Sequence, residues 1–430
     1  MEKEIVTLVF AGSLAILSSG FLPGKASRYA STALSSAVML ALLYISLGNP
    51  GLAGYVGFVS SVIGLAAVIS GLDLVEESKP LHDALVTVLT ASLPLLLLLG
   101  DLLRLFVAWE TISVCILALT AFHRDRESAE AAVKYIMLCG VASLLALAGI
   151  ALSYLETGSL SVESFAKASL AAKMLVVVGF GAEAAVFPLH FWLPDAHMVA
   201  PSTASAVLSG ITIEAAGLLV YRLVGSEPIL LRLLSVLAVA GALLGNFSAY
   251  RQVDVKRLLA YSSVANVGYI FLGLTSGNAT ARTAAYLHVA GHGFLKAALF
   301  ILSGVLLADF GSRRLDKLQG SLSGSKVLKA VLVVAALGLT GAPLALTFWS
   351  ELYIIVGVAQ SSLLLALLAL TAVIASFGYY FNLVYALCVG EGSRPSGKPR
   401  LAAELSIVGL VALSASLLVL YGWIAGYFAL

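Results

Sequence analysis

The chain has 430 residues, 60% of them hydrophobic, and its 25 basic and 23 acidic residues amount to only 11%, against roughly 25% in a soluble domain. So few polar groups cannot cover a water-facing surface, which excludes soluble enzymes and nucleic-acid-binding proteins and makes this an integral membrane protein. A formal net charge of +2 leaves neither a basic patch for nucleic acid nor an acidic tail for a partner.

In chain order, a hydropathy window of about 19 residues separates apolar runs punctuated by charged or Gly/Pro turns. It predicts 14 helices, over 5–22, 28–48, 51–71, 82–100, 102–121, 129–155, 170–194, 200–223, 228–249, 254–274, 281–308, 327–358, 361–389 and 401–428. The first run has no clear cleavage site and reads as a membrane helix, not a signal peptide. Helices 7 and 12 are too long and contain Pro188 and Pro343 beside glycines, so each is expected to be broken. Continuous apolar runs without alternation exclude a β-barrel. The organisation expected is an N-terminal three-helix segment (1–75), a first five-helix repeat of helices 4–8 (80–224), a second of helices 9–13 (228–389) and a C-terminal helix (401–430). Five is an odd number, so the second copy must be inverted.

Cys115, Cys139 and Cys388 are widely spaced in apolar runs, which excludes a C-x-x-C motif and a disulfide framework. The longest loop, 309–326, has no room for a soluble domain, and no dinucleotide, P-loop or iron–sulfur motif is present. No cofactor or metal is expected within the chain, and redox or nucleotide chemistry would come from another subunit. On the side of the N-terminus stand Lys3, Arg104, Lys167, Lys173, Arg222, Arg232 and Arg282. Sixteen basic residues fall on the other side, among them Lys25, Arg28, Lys79, Arg124, Arg126, Arg251, Lys256, Arg257, Arg313, Arg314, Arg394, Lys398 and Arg400. The positive-inside rule then places both termini outside the cytoplasm of a multi-pass cell-membrane protein.

The remaining two basic residues, Lys134 and Lys296, lie within helices, with Glu110, Glu183, Glu214, His288, His292 and Glu351. An ionisable group at mid-helix costs at least ~2.5–3.5 kcal/mol on insertion, so a chain that keeps eight gains something from them. Snorkelling or helix pinning is the plain alternative for each alone. It suits Lys134, near the start of helix 6, better than Glu110 or Glu214. His288, His292 and Lys296 are spaced i, i+4, i+8 and share a helical face. The lysine argues against a metal site, whereas neighbouring His and Lys can exchange protons through water. Glu183 precedes Pro188 and Glu351 follows Pro343, as in inverted-repeat transporters whose broken helices form ion sites.

Three stretches, FPLHFWLPDAHMVAPSTASAVLSG (187–210), RQVDVKRLLAYSSVANVGYI (251–270) and HVAGHGFLKAALFILSG (288–304), resemble the antiporter-like membrane subunits of respiratory complex I, membrane-bound hydrogenases and multi-subunit sodium/proton antiporters. The resemblance covers roughly 80–400, and its P-D-A-H and Q-x-D-x-K-R-L-L-A-Y-S-S blocks are highly specific. It implies 14 helices with two inverted repeats, a mid-membrane line of buried charges and partner membrane subunits. In the family's pattern a helix 5 glutamate, here Glu110, pairs with a lysine of helix 7 and protons pass along helices 8, 11 and 12. Lys134, His288, His292, Lys296 and Glu351 match it. Glu183 and Glu214 stand where the family usually has lysine. Two facing carboxylates, Glu110 and Glu183, cannot both be charged cheaply, so the pair is expected to share a proton or hold a sodium ion, unless the first half has become structural.

The chain thus reads as a proton- or sodium-translocating subunit of a redox-driven pump or cation/proton antiporter. A stand-alone carrier of a small solute is the second reading, and a structural spacer the third. A relay spread over many helices, with no single solute pocket, favours the first.

Overall fold

The computed structural model describes residues 1–225, 227–343, 345–390 and 399–430; Arg394 and Lys398 of the orientation count lie outside the described residues. Twelve helices are long and apolar enough to cross a membrane. They are α1 (Glu2–Phe21), α2 (Gly24–Leu47), α3 (Leu52–Leu74), α4 (Lys79–Leu98), α5 (Leu102–Thr120), α6 (Arg126–Thr157), α8 (Ser202–Val224), α9 (Pro228–Tyr250), α10 (Val255–Thr275), α11 (Ala279–Phe310), α13 (Leu363–Cys388) and α14 (Leu401–Tyr427). Between them the chain forms two interrupted helices, α7a (Leu170–Glu183) with α7b (Trp192–Val199), and α12a (Lys326–Leu339) with α12b (Leu346–Ser361). Among the described residues there is no strand beyond two isolated bridges.

Local chemistry sets these limits. Asp101 and Asp254 cap α5 and α10, each carboxylate accepting two backbone N–H groups of the first turn. Gly158 and Gly311, both left-handed, stop α6 and α11. The strand-like pairings that follow, Asp101 with Ser161 and Asp254 with Arg314, tie each hairpin at its base. Cap, stop and bridge recur at the same spacing in both hairpins, so α5–α6 and α10–α11 are built alike. α6 itself starts in a reciprocal capping box, in which the backbone N–H and hydroxyl of Ser128 hold the exposed Asp125 carboxyl below its usual range.

Each interruption frees backbone groups that lipid cannot satisfy. In α7 the Ala182 carbonyl accepts the Trp192 indole N–H at 2.8 Å, with Ala185 left-handed at φ 51. In α12 the Gly338 carbonyl accepts the Thr347 hydroxyl, and Gly341 turns the chain at φ +74. One π-helical turn interrupts α6 (Ile136–Gly140) and another α8 (Leu208–Thr212), neither expected from the sequence.

The helices are not equivalent. In α10 the apolar window is 94% buried, and in α8 89%, against 17% in α1 and 33% in α13 and α14. α8, α10 and α11 therefore form the interior, and the others present apolar faces outward. α8 and α11 touch at Gly210 and Gly293: a Cβ on Gly210 would meet the Gly293 carbonyl oxygen at 2.9 Å. We expect Gly293→Val to force these helices apart and lower the yield of folded protein in detergent by at least severalfold, measured by fluorescence-detected size exclusion; an undiminished monodisperse peak would contradict this.

Candidate functional site: a polar line along α11

His288, His292 and Lys296 share the buried face of α11 and are 0% exposed. Their surroundings come from α8, α10, α12b and α13. The imidazoles of His288 and His292 stack with centroids 5.8 Å apart and planes 11° from parallel. His292 Nδ1 lies in hydrogen-bond contact with Glu214 Oε1 of α8, both side chains fully enclosed. Lys296 Nζ donates to the Leu259 carbonyl at 2.9 Å and to the Ser262 hydroxyl, both of α10. Ser262 Oγ is 3.2 Å from the Tyr380 hydroxyl of α13, and the Lys296 ammonium lies 5.8 Å from the centre of that ring.

The partners of His288 let it take either protonation state. Nε2 is 3.0 Å from Asn266 Oδ1, an oxygen oriented that way because Asn266 Nδ2 donates to the Ser262 carbonyl at 2.7 Å. Nδ1 is 2.8 Å from Ser350 Oγ, which also lies 2.8 Å from the Thr347 carbonyl. With neutral His288, Nε2–H donates to Asn266 and Nδ1 accepts from Ser350. When a second proton arrives, Nδ1–H donates to Ser350 Oγ and the serine hydroxyl turns to the Thr347 carbonyl. A hydroxyl rotation is the only rearrangement, so no partner is left unsatisfied.

Glu351 is buried in α12b, with Oε2 against Gly341 at the break and its carboxylate within electrostatic reach of Tyr269, Tyr379 and Tyr380. Tyr269 and Tyr379 meet through the Asn246 amide, each hydroxyl at 2.9 Å.

The first half is chemically different. Glu183, the last residue of α7a, is 3% exposed; its Oε1 accepts from the Tyr135 hydroxyl at 2.8 Å and from Ser113. Glu110 is half-buried and accepts from Ser143. The two acids are neighbours, near enough for the charge of Glu110 to oppose that of Glu183, but each is bonded to hydroxyls and not to the other. Among the described residues no cation is paired with either. Oε2 of Glu183 and Oε2 of Glu214 have no hydrogen-bond partner there.

Lys134 is not brought to this line. It is half-exposed in the third turn of α6, which begins at Arg126, with Nζ 2.9 Å from Glu130 and 3.0 Å from Asp195. Lys79 and Lys256, both counted as surface cations, are interior, and Lys173 is buried against Glu227. Lys79 joins Asp83 and His82 in a fully buried cluster that also takes in Ser31, Thr32 and Thr203. Lys256 is 1% exposed and donates to the Ala200 carbonyl at the end of α7b. The i, i+3, i+4 spacing of Lys79, His82 and Asp83 was the available signal for the first, and the Q-x-D-x-K block for the second.

Two cavities flank α11 lengthwise. One, of about 520 Å3, lies among the basic loops and is lined by Lys256, Ser202, His123 and Gly304. Burial and the Lys256 charge push the His123 imidazole at its rim below its usual value. The other, of about 820 Å3, lies near the opposite end of α11 and reaches Leu287, Ser350 and Pro343.

Comparison with known proteins shows the family. Residues 100–376 match the family described as NADH:quinone oxidoreductase/Mrp antiporter, TM. NADH-quinone oxidoreductase subunit N of Desulforudis audaxviator is 32% identical over 77% of this chain and 70% of its own length. A hydrogenase-4 component F homolog of Methylacidiphilum infernorum is 29% identical over 80% and 77%. Among solved structures, a chain of respiratory complex I from Thermus thermophilus superposes with a TM-score of 0.84 at 27% identity, covering 98% of both chains. A chain of the Mrp complex from Dietzia sp. DQ12-45-1b shares the fold, with a TM-score of 0.86 over 100% of this chain and 98% of its own at 22% identity. The chain belongs to the NADH:quinone oxidoreductase/Mrp antiporter transmembrane family.

Proposed function

We propose that this protein is the ion-translocating membrane subunit of a multi-subunit redox-driven pump or cation/proton antiporter, and that Glu214, His292, His288, Lys296 and Glu351 form its relay. The observation that carries this reading is His288, whose four polar neighbours accommodate a proton gained or lost by one hydroxyl rotation. Such a site takes up and releases protons with little reorganisation. Relatives that are components of complex I, hydrogenase and Mrp assemblies support a place among other membrane subunits. We read 80–224 and 228–389 as the two inverted repeats, supported by the matching caps and bridges. Both termini lie on the non-cytoplasmic side, so the vestibule among the basic loops faces the cytoplasm.

Isolation of the tagged chain from membranes is expected to bring other membrane subunits with it, and vesicles carrying that complex to move protons or sodium ions. A chain that purifies alone and carries a solute would overturn the reading.

The first half works differently. Glu183 and Glu110 have hydroxyl partners and no cation, and the bare Oε2 of Glu183 suits one proton or one sodium ion. Glu183→Gln keeps an acceptor for Ser113 and Tyr135 but holds neither ion. We expect it to cut sodium-stimulated transport by reconstituted complex at least tenfold; wild-type rates would assign the first half a structural role.

A further inference from the structure

His197 is a buried titratable group beside α11 that the relay above does not use. It lies in α7b, is 0% exposed, and neither ring nitrogen has a hydrogen-bond partner among the described residues. A buried imidazole left bare at both nitrogens is rare in a folded protein unless water or function reaches it. Its ring stacks on Phe300 of α11, with centroids 4.6 Å apart and planes 21° from parallel. Phe300 is one helical turn beyond Lys296, towards the vestibule. The charges of Lys256 and Lys296 both act on His197. Lys256 in turn lines the vestibule and is anchored to Ala200, three residues after His197 in the chain. From the vestibule inward, the order along α11 is therefore Gly304, Phe300 with His197 upon it, then Lys296.

We propose that His197 carries protons between the vestibule and Lys296. This deepens the relay reading and rests on it. A proton entering from vestibule water at Lys256 is taken by a bare ring nitrogen of His197, giving an imidazolium. The N–H at the opposite ring nitrogen is then lost to the unprotonated Lys296 amine, which becomes an ammonium. His197 returns to the neutral form as its other tautomer, and a ring flip restores the first. No bond but N–H is made or broken, and one proton crosses per cycle. The stack on Phe300 keeps the ring in line while leaving both nitrogens free, which a hydrogen bond at either would prevent.

The test uses the assembled complex in sealed vesicles. His197→Phe retains a ring against Phe300 and is expected to leave subunit composition unchanged while proton movement falls at least tenfold. His197→Ala opens a space beside the vestibule, and imidazole added on that side is expected to restore part of the rate, which a packing role would not allow. If His197→Phe does not assemble, the imidazole response of His197→Ala decides alone, and its absence overturns the proposal. Wild-type proton movement in His197→Phe, with Lys296→Ala inactive, overturns the role of His197 and leaves the relay standing. Wild-type movement in Lys296→Ala overturns the relay itself.

Discussion

Lys296→Ala is expected to abolish coupled ion movement, with a fall on the order of a hundredfold, and to leave the subunits assembled. The ammonium is enclosed by Leu259, Ser262 and the Tyr380 ring and hydrogen-bonds to neutral oxygens, so removing it creates a small polar gap without breaking a hydrogen-bonded ion pair. Lys296→Arg separates two explanations. A guanidinium keeps the positive charge but does not give up its proton. A relay therefore fails in both variants, whereas a fixed positive charge that merely tunes its neighbours would be rescued by arginine. Proton uptake by vesicles, read with a pH-sensitive dye while the partner's redox reaction runs, makes the distinction. Full activity in Lys296→Arg would remove Lys296 from the relay.

Asp83→Ala has the largest expected effect on stability. The Asp83 carboxylate serves Lys79, His82, Ser31 and Thr32 at once, joining α2 and α4 in a space with no solvent. Its loss leaves the Lys79 ammonium with only the Val68 carbonyl at 3.1 Å. Breaking one side of such a buried pair costs about 3–5 kcal/mol, while replacing both charges by apolar groups of similar size is often neutral. The single variant should melt well below the wild type in detergent, and Lys79→Met with Asp83→Leu should recover most of the loss. A single variant with unchanged melting would show that water reaches the cluster.

What could be read from sequence followed from what lipid forbids. Long apolar runs gave the helices, because backbone in lipid must satisfy itself. Pro188 and Pro343, each in an overlong run that also holds glycine, marked the interruptions of α7 and α12. The i, i+4, i+8 spacing put His288, His292 and Lys296 on one face, and they do share it. Other parts carried no signal. Asn266, Ser262 and Ser350 decide what His288 and Lys296 can do, but uncharged polar residues are common in membrane helices. Lys79 and Lys256 sit near helix ends, where a basic residue normally reaches water, and the packing of α3 over Lys79 and of the α7b–α8 junction over Lys256 makes them interior. The π turns of α6 and α8 have no compositional mark. Lys134 misled for the opposite reason: α6 begins only two turns before it, which leaves its ammonium free to pair with Glu130 and Asp195.

The contact between Glu214 and His292 joins the two halves of the chain, since α8 closes the first set of helices and α11 lies in the second. A proton shared there is common property. On the proposed relay, a proton gained or lost by Glu214 changes the field at a group whose bonding partner belongs to the other half, and the influence runs equally in reverse. The contact thus couples the halves through a titratable pair, and on the proposed relay the loading of one is a term in the affinity of the other. Substitutions in Glu214 and His288, which meet only through His292, should then be non-additive in transport, and that interaction should vanish when His292 is made Gln.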